Sequence, residues 1–190
     1  QGEVAGGMET GIVIVGVGGQ GVLTLARWLG EAALSAGYDV RVAEVHGLSQ
    51  RGGAVEVHVR FGNEVYAPVV DEGEADVVVA LEALEALRGL RYLRQGGVLV
   101  VNRRIIQPPG AWYDIGQVLD ALKKSGVRHY VVPCYEEALK LGSPVYENSV
   151  MLGFVSALLS LPAPPSLDEA NKKAFQRGAA LLQNPLSPDQ

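Results

Sequence analysis

With 190 residues, 48% of them apolar and 19% charged, the chain can close one hydrophobic core, is short for two, and lacks the charge-rich balance of a disordered protein. A net charge of −5 argues against gripping a nucleic-acid backbone, which takes clustered Lys and Arg; only Arg103-Arg104 and Lys123-Lys124 stand as basic pairs. A single cysteine, Cys134, excludes an internal disulfide and any metal or cluster site built on repeated thiolates. No apolar run approaches the length that crosses a bilayer and the first residues lack a secretory pattern, so no membrane is implied and the cytoplasm is the expected compartment.

Residues 1–10 are Gly-rich without periodicity, with Met8 a candidate start, and are set apart from the fold; residues 11–183 are expected to form one domain and residues 184–190 a tail. "GIVIVGV" is a short β-branched run ending in glycines, after which Val22, Ala26, Leu29 and Ala33 share one helical face. Gly37 follows the last apolar helical position, and "YDVRVAEV" reads as the next strand. The unit is βαβ, which predicts two parallel strands joined by a right-handed crossover.

Further on, Val55, Val57, Val59 and Phe61 alternate with Glu56, His58 and Arg60, so one face of this strand is core and the other meets solvent or a partner. "FGNEVYAPVV" reads as a hairpin turning at Gly62-Asn63. The rhythm resumes with a strand in "ADVVVAL", a helix in "EALEALRGLRYL" and a strand in "VLVVN". Pro108-Pro109-Gly110 marks a loop, residues 115–125 a helix, "RHYVVP" a strand, and residues 136–141 and 149–161 two helices, the second with Asn148 as N-cap. After "LPAPPS", which proline keeps from continuing a helix, a Ser166/Glu169 capping box opens a last helix toward Leu182. The expected fold is α/β: a Rossmann-like three-layer domain with a mostly parallel sheet and an antiparallel hairpin insertion.

Two motifs carry chemistry. Gly16, Gly18, Gly19 and Gly21 match G-x-G-x-x-G between a strand and a helix, where backbone amides can hold a phosphate; equally, the glycines can serve only the turn and close helix packing. Glu44 ends the second strand, near where a dinucleotide binder places its ribose-binding acid. Against a free-standing dehydrogenase, one sheet and its helices use nearly the whole chain. The second motif follows Glu44: His46, Ser49, Gln50, Arg51, Gly52 and Gly53 crowd polar donors onto a loop where backbone can approach a ligand closely.

Together "GVGGQG" and "EVHGLSQRGGAVEVHVRFG" resemble the gamma-type subunit or domain of 2-oxoacid:ferredoxin oxidoreductases, which share a G-x-G-G-Q-G turn and an E-x-H-G-x-S-Q-R-G-G loop leading into an H-V-R strand. "EADVVVALEALEALRGLRYLRQGGVLVVN", "YENSVMLGFVSALLSLP" and "NKKAFQRG" look most like the beta subunit of the indolepyruvate branch, so that the resemblance spans residues 11–178. It implies a heteromeric enzyme that oxidatively decarboxylates a 2-oxoacid on thiamine diphosphate, passes electrons through iron–sulfur clusters to ferredoxin and yields an acyl-coenzyme A. The chain has neither a G-D-G with a suitably spaced Asn for magnesium and diphosphate nor a C-x-x-C set. Thiamine diphosphate, magnesium and clusters are therefore expected on an alpha subunit partner, with this chain binding no metal and inactive alone.

On that resemblance Glu44, His46, Ser49, Gln50, Arg51, Gly52 and Gly53 are the expected functional loop. Arg51 is the sharpest choice, because a guanidinium pairs bidentately with a carboxylate or phosphate. Gln50 would orient a ligand or water, and His46 would shuttle a proton. Gly16, Gly18, Gly19 and Gly21 are candidates for contact with coenzyme A or another phosphate. Two alternatives stay open: the gamma subunit of a pyruvate, 2-oxoglutarate or branched 2-oxoacid enzyme, and a dinucleotide-binding regulatory domain.

Overall fold

The computed structural model describes residues 9–46 and 53–183. Among the described residues six strands form one sheet: β1 (Glu9–Val17), β2 (Asp39–Glu44), β3 (Ala54–Gly62), β4 (Ala75–Ala80), β5 (Leu93–Asn102) and β6 (His129–Val132), in the order β2-β3-β1-β4-β5-β6. Five strands point the same way and β3 alone runs against its neighbours, so the sheet is mostly parallel, as expected. Helices α1 (Val22–Ser35), α5 (Glu147–Leu159) and α6 (Glu169–Gln183) cover one face, where Ile12, Ile14, Val57, Val79 and Val100 meet Leu25, Leu29 and Met151. Helices α2 (Ala83–Gly89) and α3 (Ile115–Lys124) cover the other, over Val13, Val78, Leu99 and Val101. The short α4 (Cys134–Lys140) follows β6 directly. Each large aliphatic side chain fully withdrawn from water in these two layers contributes about 1.5–3 kcal/mol.

Backbone meets backbone where α5 crosses α6: a Cβ added at Gly178 would lie 1.8 Å from the Val150 carbonyl oxygen, and one at Gly153 would lie 1.9 Å from that of Phe175. Only glycine permits the approach.

The first βαβ unit differs from expectation. β1 and β2 run parallel but are not paired, because β3 inserts between them, antiparallel to both, with Ile14 opposite Val57 and Val42 opposite Val59. The antiparallel hairpin is therefore β2–β3. Gly62-Asn63 turns the chain without a second strand, since Pro68 offers no amide hydrogen to a ladder. Residues 63–74 instead cross the polar face of β3: the Val65 N–H donates to Asp39 Oδ2 (2.9 Å) and the Val70 N–H to His58 Nδ1 (2.9 Å).

That face is consequently buried rather than solvated, with Glu56 4% and His58 1% exposed. Accepting at Nδ1, His58 carries its hydrogen on Nε2 and donates it to Glu56 Oε1 at 2.7 Å. Its ring stands edge-on to Tyr92, and Arg91 reaches Glu56 at 3.5 Å. Burial alone would raise the Glu56 carboxyl, but hydrogen bonds from His58 and Tyr92, with the charge of Arg91, hold it below the usual carboxylate range.

The last helix also starts differently. Asp168 Oδ1 accepts from the Asn171 N–H at 2.8 Å and caps α6, whereas Ser166 donates through Oγ (2.6 Å) and its backbone N–H (2.8 Å) to Glu31 on α1. The expected capping box is absent because a carboxylate on another element takes Ser166 first.

Candidate functional site at the carboxyl rim of the sheet

Parallel strands bring their carboxyl ends to one rim, where open α/β sheets collect ligands. The glycine turn, the end of β2, the start of β3, Leu81-Glu82, Asn102 to Arg104 and the first turn of α5 all meet there.

Gln20 braces the turn from within: its Oε1 accepts from the Val17 N–H (2.8 Å) and its Nε2 donates to the Leu81 carbonyl (2.9 Å). Gly16 is needed for packing, since a Cβ there would lie 2.8 Å from the Val22 side chain. Gly21 has φ +77° and a Cβ there would lie 2.6 Å from Asn148 Nδ2; Gly19 has φ +88° and open space around it. Asn148 lies inside α5 rather than capping it, and its Nδ2 donates to the Gln20 carbonyl at 2.6 Å. In a trans peptide the following N–H points the opposite way, so the Gly21 amide faces away from α5. Among the described residues neither the Gly19 nor the Gly21 N–H finds an acceptor, and α1 starts without a side-chain cap. Such a group of free donors at a helix start suits an anionic oxygen.

The two motifs are joined. The Gly18 N–H donates to the Gly53 carbonyl at 2.6 Å, and Gly53 has φ +83°, a conformation that glycine adopts without strain. Ser49, Gln50, Arg51 and Gly52 lie outside the described residues. Glu44 and His46, at the other end of the loop, are exposed on the β2 side, with Glu44 Oε2 3.6 Å from His46 Nε2. With β3 interposed, Glu44 sits two strand spacings from β1, about 9.5 Å. A dinucleotide fold needs its acidic strand beside the glycine turn, and that juxtaposition is not formed.

Residues outside both motifs complete the rim. Asn102 Nδ2 donates to the Leu81 carbonyl (3.1 Å) and to Glu147 Oε1 (2.6 Å), while Arg104 holds Glu147 Oε2 at 2.5 Å and lies over the Tyr135 ring. Asn102 Oδ1 is buried without a partner among the described residues. Glu82 accepts from the Glu85 N–H at 2.9 Å and the Ile106 N–H at 3.1 Å, capping α2 and tethering the following loop. Asn102, at a strand end, was the one legible signal; Glu147 and Arg104 lie 43 residues apart and no periodicity links them.

Between β3 and the end of α2 a cavity of about 180 Å³ is lined by Val15, Val55, Glu56, Arg88, Arg91 and Tyr92. Among the described residues no three His, Cys, Asp or Glu side chains converge as metal ligands. Cys134 is fully buried, and that burial pushes its thiol well up, so it does not fit a cluster ligand, which must be a thiolate. No helix among the described residues is long and apolar enough to cross a membrane.

Residues 11–185 match the family described as pyruvate ferredoxin/flavodoxin oxidoreductase. Indolepyruvate oxidoreductase subunit IorB of Thermococcus kodakarensis is 40% identical over 190 residues, covering 90% of this chain and 94% of its own length. Ketoisovalerate oxidoreductase subunit VorA of Methanothermobacter marburgensis is 32% identical over 79% of this chain, but the matched stretch is only 28% of that longer protein. The crystal structure of the keto/oxoacid ferredoxin oxidoreductase gamma subunit from Geobacter sulfurreducens shares the fold, with a TM-score of 0.69 at 23% identity, covering 95% of this chain and 98% of that one.

Proposed function

The chain belongs to the pyruvate ferredoxin/flavodoxin oxidoreductase family and is a subunit of a 2-oxoacid oxidoreductase complex, and from that premise we propose that it is the gamma-type subunit of an indolepyruvate-class enzyme. Identity of 40% along 90% of the chain to an indolepyruvate oxidoreductase subunit carries this reading. The reaction is the oxidative decarboxylation of an arylpyruvate to an acyl-coenzyme A, with electrons leaving for ferredoxin in the cytoplasm.

Thiamine diphosphate with magnesium supplies the decarboxylation chemistry and iron–sulfur clusters the electron path, both on a cofactor-bearing alpha subunit. Among the described residues no metal-ligand cluster forms and the lone cysteine is buried as a thiol, which supports placing both groups on the partner. What the chain contributes is its rim. Arg51, with Ser49 and Gln50 beside it and Gly52 and Gly53 allowing close approach, holds an anionic group at the shared site. The Gly19 and Gly21 amides, which find no acceptor among the described residues, receive with the uncapped start of α1 a phosphate of coenzyme A. Glu44 and His46, 3.6 Å apart at the exposed end of β2, are the proton-exchanging pair. The Gly18–Gly53 hydrogen bond supports the assignment by tying both motifs to one place.

The interposed β3 speaks against the dinucleotide reading. Calorimetry on the isolated chain with NAD, FAD and coenzyme A tests that rival, which needs micromolar binding of a dinucleotide. Purification of this chain from its native cell tests the main reading: a large companion bearing thiamine and iron–sulfur clusters is expected, and its absence contradicts the proposal. Within the family, turnover of that complex on indolepyruvate against pyruvate and a branched 2-oxoacid decides the substrate class.

A further inference from the structure

The loop between β5 and α3 carries an aromatic pair that the fold does not use. Trp112 is 80% exposed, and Tyr113 beside it is half-exposed. The loop is nonetheless tightly built. Gln107 spans it with both ends of its carboxamide: Nε2 donates to the Tyr113 carbonyl at 2.8 Å, and Oε1 accepts from the Tyr113 N–H at 2.9 Å. Within that bracket the Ala111 N–H donates to the Pro108 carbonyl (3.3 Å), Gly110 takes φ +76°, and two prolines stiffen the approach. Asp114 then caps α3 by accepting from the Gln117 N–H at 3.1 Å, and the Ile106 N–H is fastened to Glu82. Glu82 follows β4 and β5 ends at Asn102, so the loop stands on the same carboxyl rim as both motifs.

A large apolar ring held in water on a braced loop loses little conformational freedom when it binds, and tryptophan is the side chain most enriched at the centres of protein interfaces. We propose that Trp112 is the anchor by which this chain docks into an apolar cleft of the cofactor-bearing subunit. The inference rests on the function proposed above. In the longer VorA relative the matched stretch is 28% of one continuous chain, whereas IorB is matched over 94% of its own length; a subunit of that kind must secure its partner through surface contacts. The net charge of −5 disfavours an anionic membrane as the occupant.

The molecule supplies its own control. Tyr66 is 81% exposed, yet it follows Val65, which is bound to Asp39 at the first residue of β2, and so lies at the amino rim on the other side of the sheet. Trp112 and Trp28 are the two tryptophans, and Trp28 packs partly buried against the core. A Trp28→Phe chain grown with 5-hydroxytryptophan therefore reports on position 112 alone, even beside a partner with its own tryptophans.

The test measures the dissociation constant of this chain from the cofactor-bearing subunit for wild type, Trp112→Ala and Tyr66→Ala, and iodide quenching of the labelled indole before and after assembly. Trp112→Ala is expected to raise the dissociation constant about tenfold or more, Tyr66→Ala to leave it within about twofold, and assembly to shield the indole. An indole that remains accessible in the complex, or a Trp112→Ala chain that binds as wild type, overturns the proposal even though the complex forms. A chain that binds no such subunit at all overturns the functional reading beneath it. Self-association of the isolated chain that Trp112→Ala abolishes also overturns the proposal and assigns the loop to a second copy.

Discussion

The Gly18 amide donates to the Gly53 carbonyl across 2.6 Å, so the glycine turn after β1 and the end of the Ser-Gln-Arg-Gly-Gly loop before β3 are one structure rather than two. That contact exists because β3 lies beside β1, with Val17 opposite Ala54 at the top of the ladder. A turn that looks designed for a free dinucleotide is thereby tied to Gly53 at the start of β3.

Gly21 and Gly19 separate two demands on the turn. Both have positive φ, but only at Gly21 would an added methyl group also meet a neighbour, Asn148 Nδ2, at 2.6 Å. Gly19→Ala is expected to cost about 1 kcal/mol from backbone strain alone, and Gly21→Ala about 2–4 kcal/mol. Urea denaturation of both variants checks the order, and equal losses would contradict it.

Asn148→Ala removes the donor to the Gln20 carbonyl and leaves that oxygen half-buried. A loss of about 1–2 kcal/mol is expected in chemical denaturation. The Gly21 amide would then be free to turn, so coenzyme A should show a raised KM in the assembled enzyme while the KM of the 2-oxoacid holds.

Gly178→Ala forces a methyl group into the Val150 carbonyl at the α5–α6 crossing. Because backbone, not a mobile side chain, is in the way, a destabilisation of about 3 kcal/mol or more is expected, seen as a lowered Tm.

The Glu56 carboxyl is held below its unfolded value, so the stability it confers is fully present above the ordinary carboxylate range and is lost as pH falls through the depressed folded value. Glu56→Gln should therefore be less stable than wild type at pH 7, by roughly 1–3 kcal/mol for a weakened buried hydrogen-bond network, and should show a shallower loss of stability on acidification. Parallel acid limbs for the two proteins would contradict this. Nitrogen NMR of His58 should report the tautomer with hydrogen on Nε2, because the Val70 N–H occupies Nδ1.

Much of this architecture is legible in the residues. The continuous apolar runs of β1, β4 and β5 and the helical face of α1 announce an α/β sheet, and the two glycine-containing motifs mark the rim. Strand order is a different matter: the alternation of β3 is the same whichever neighbour it pairs with, so nothing local says that it enters between β1 and β2. The burial of Glu56 and His58 escaped for a related reason, since it depends on residues 63–74 folding back over them. Glu147, Arg104 and Asn102 meet through contacts spanning about 45 residues, and Ser166 is drawn to Glu31 across 135, distances at which local pattern carries no information.

Arg51 is the residue on which the chemical reading turns. Replacing it with Ala should lower turnover of the assembled complex by about 10²-fold while the subunits still associate, because the bidentate hold proposed for it on a substrate or coenzyme anion would be lost.

Reconstitution tests the central claim most directly: ferredoxin reduction driven by an arylpyruvate and coenzyme A, measured for the cofactor-bearing subunit alone, for this chain alone, and for the two together. Activity is expected only in the mixture. Full activity of the cofactor-bearing subunit without this chain, or keto-acid oxidation by this chain alone, would contradict the account.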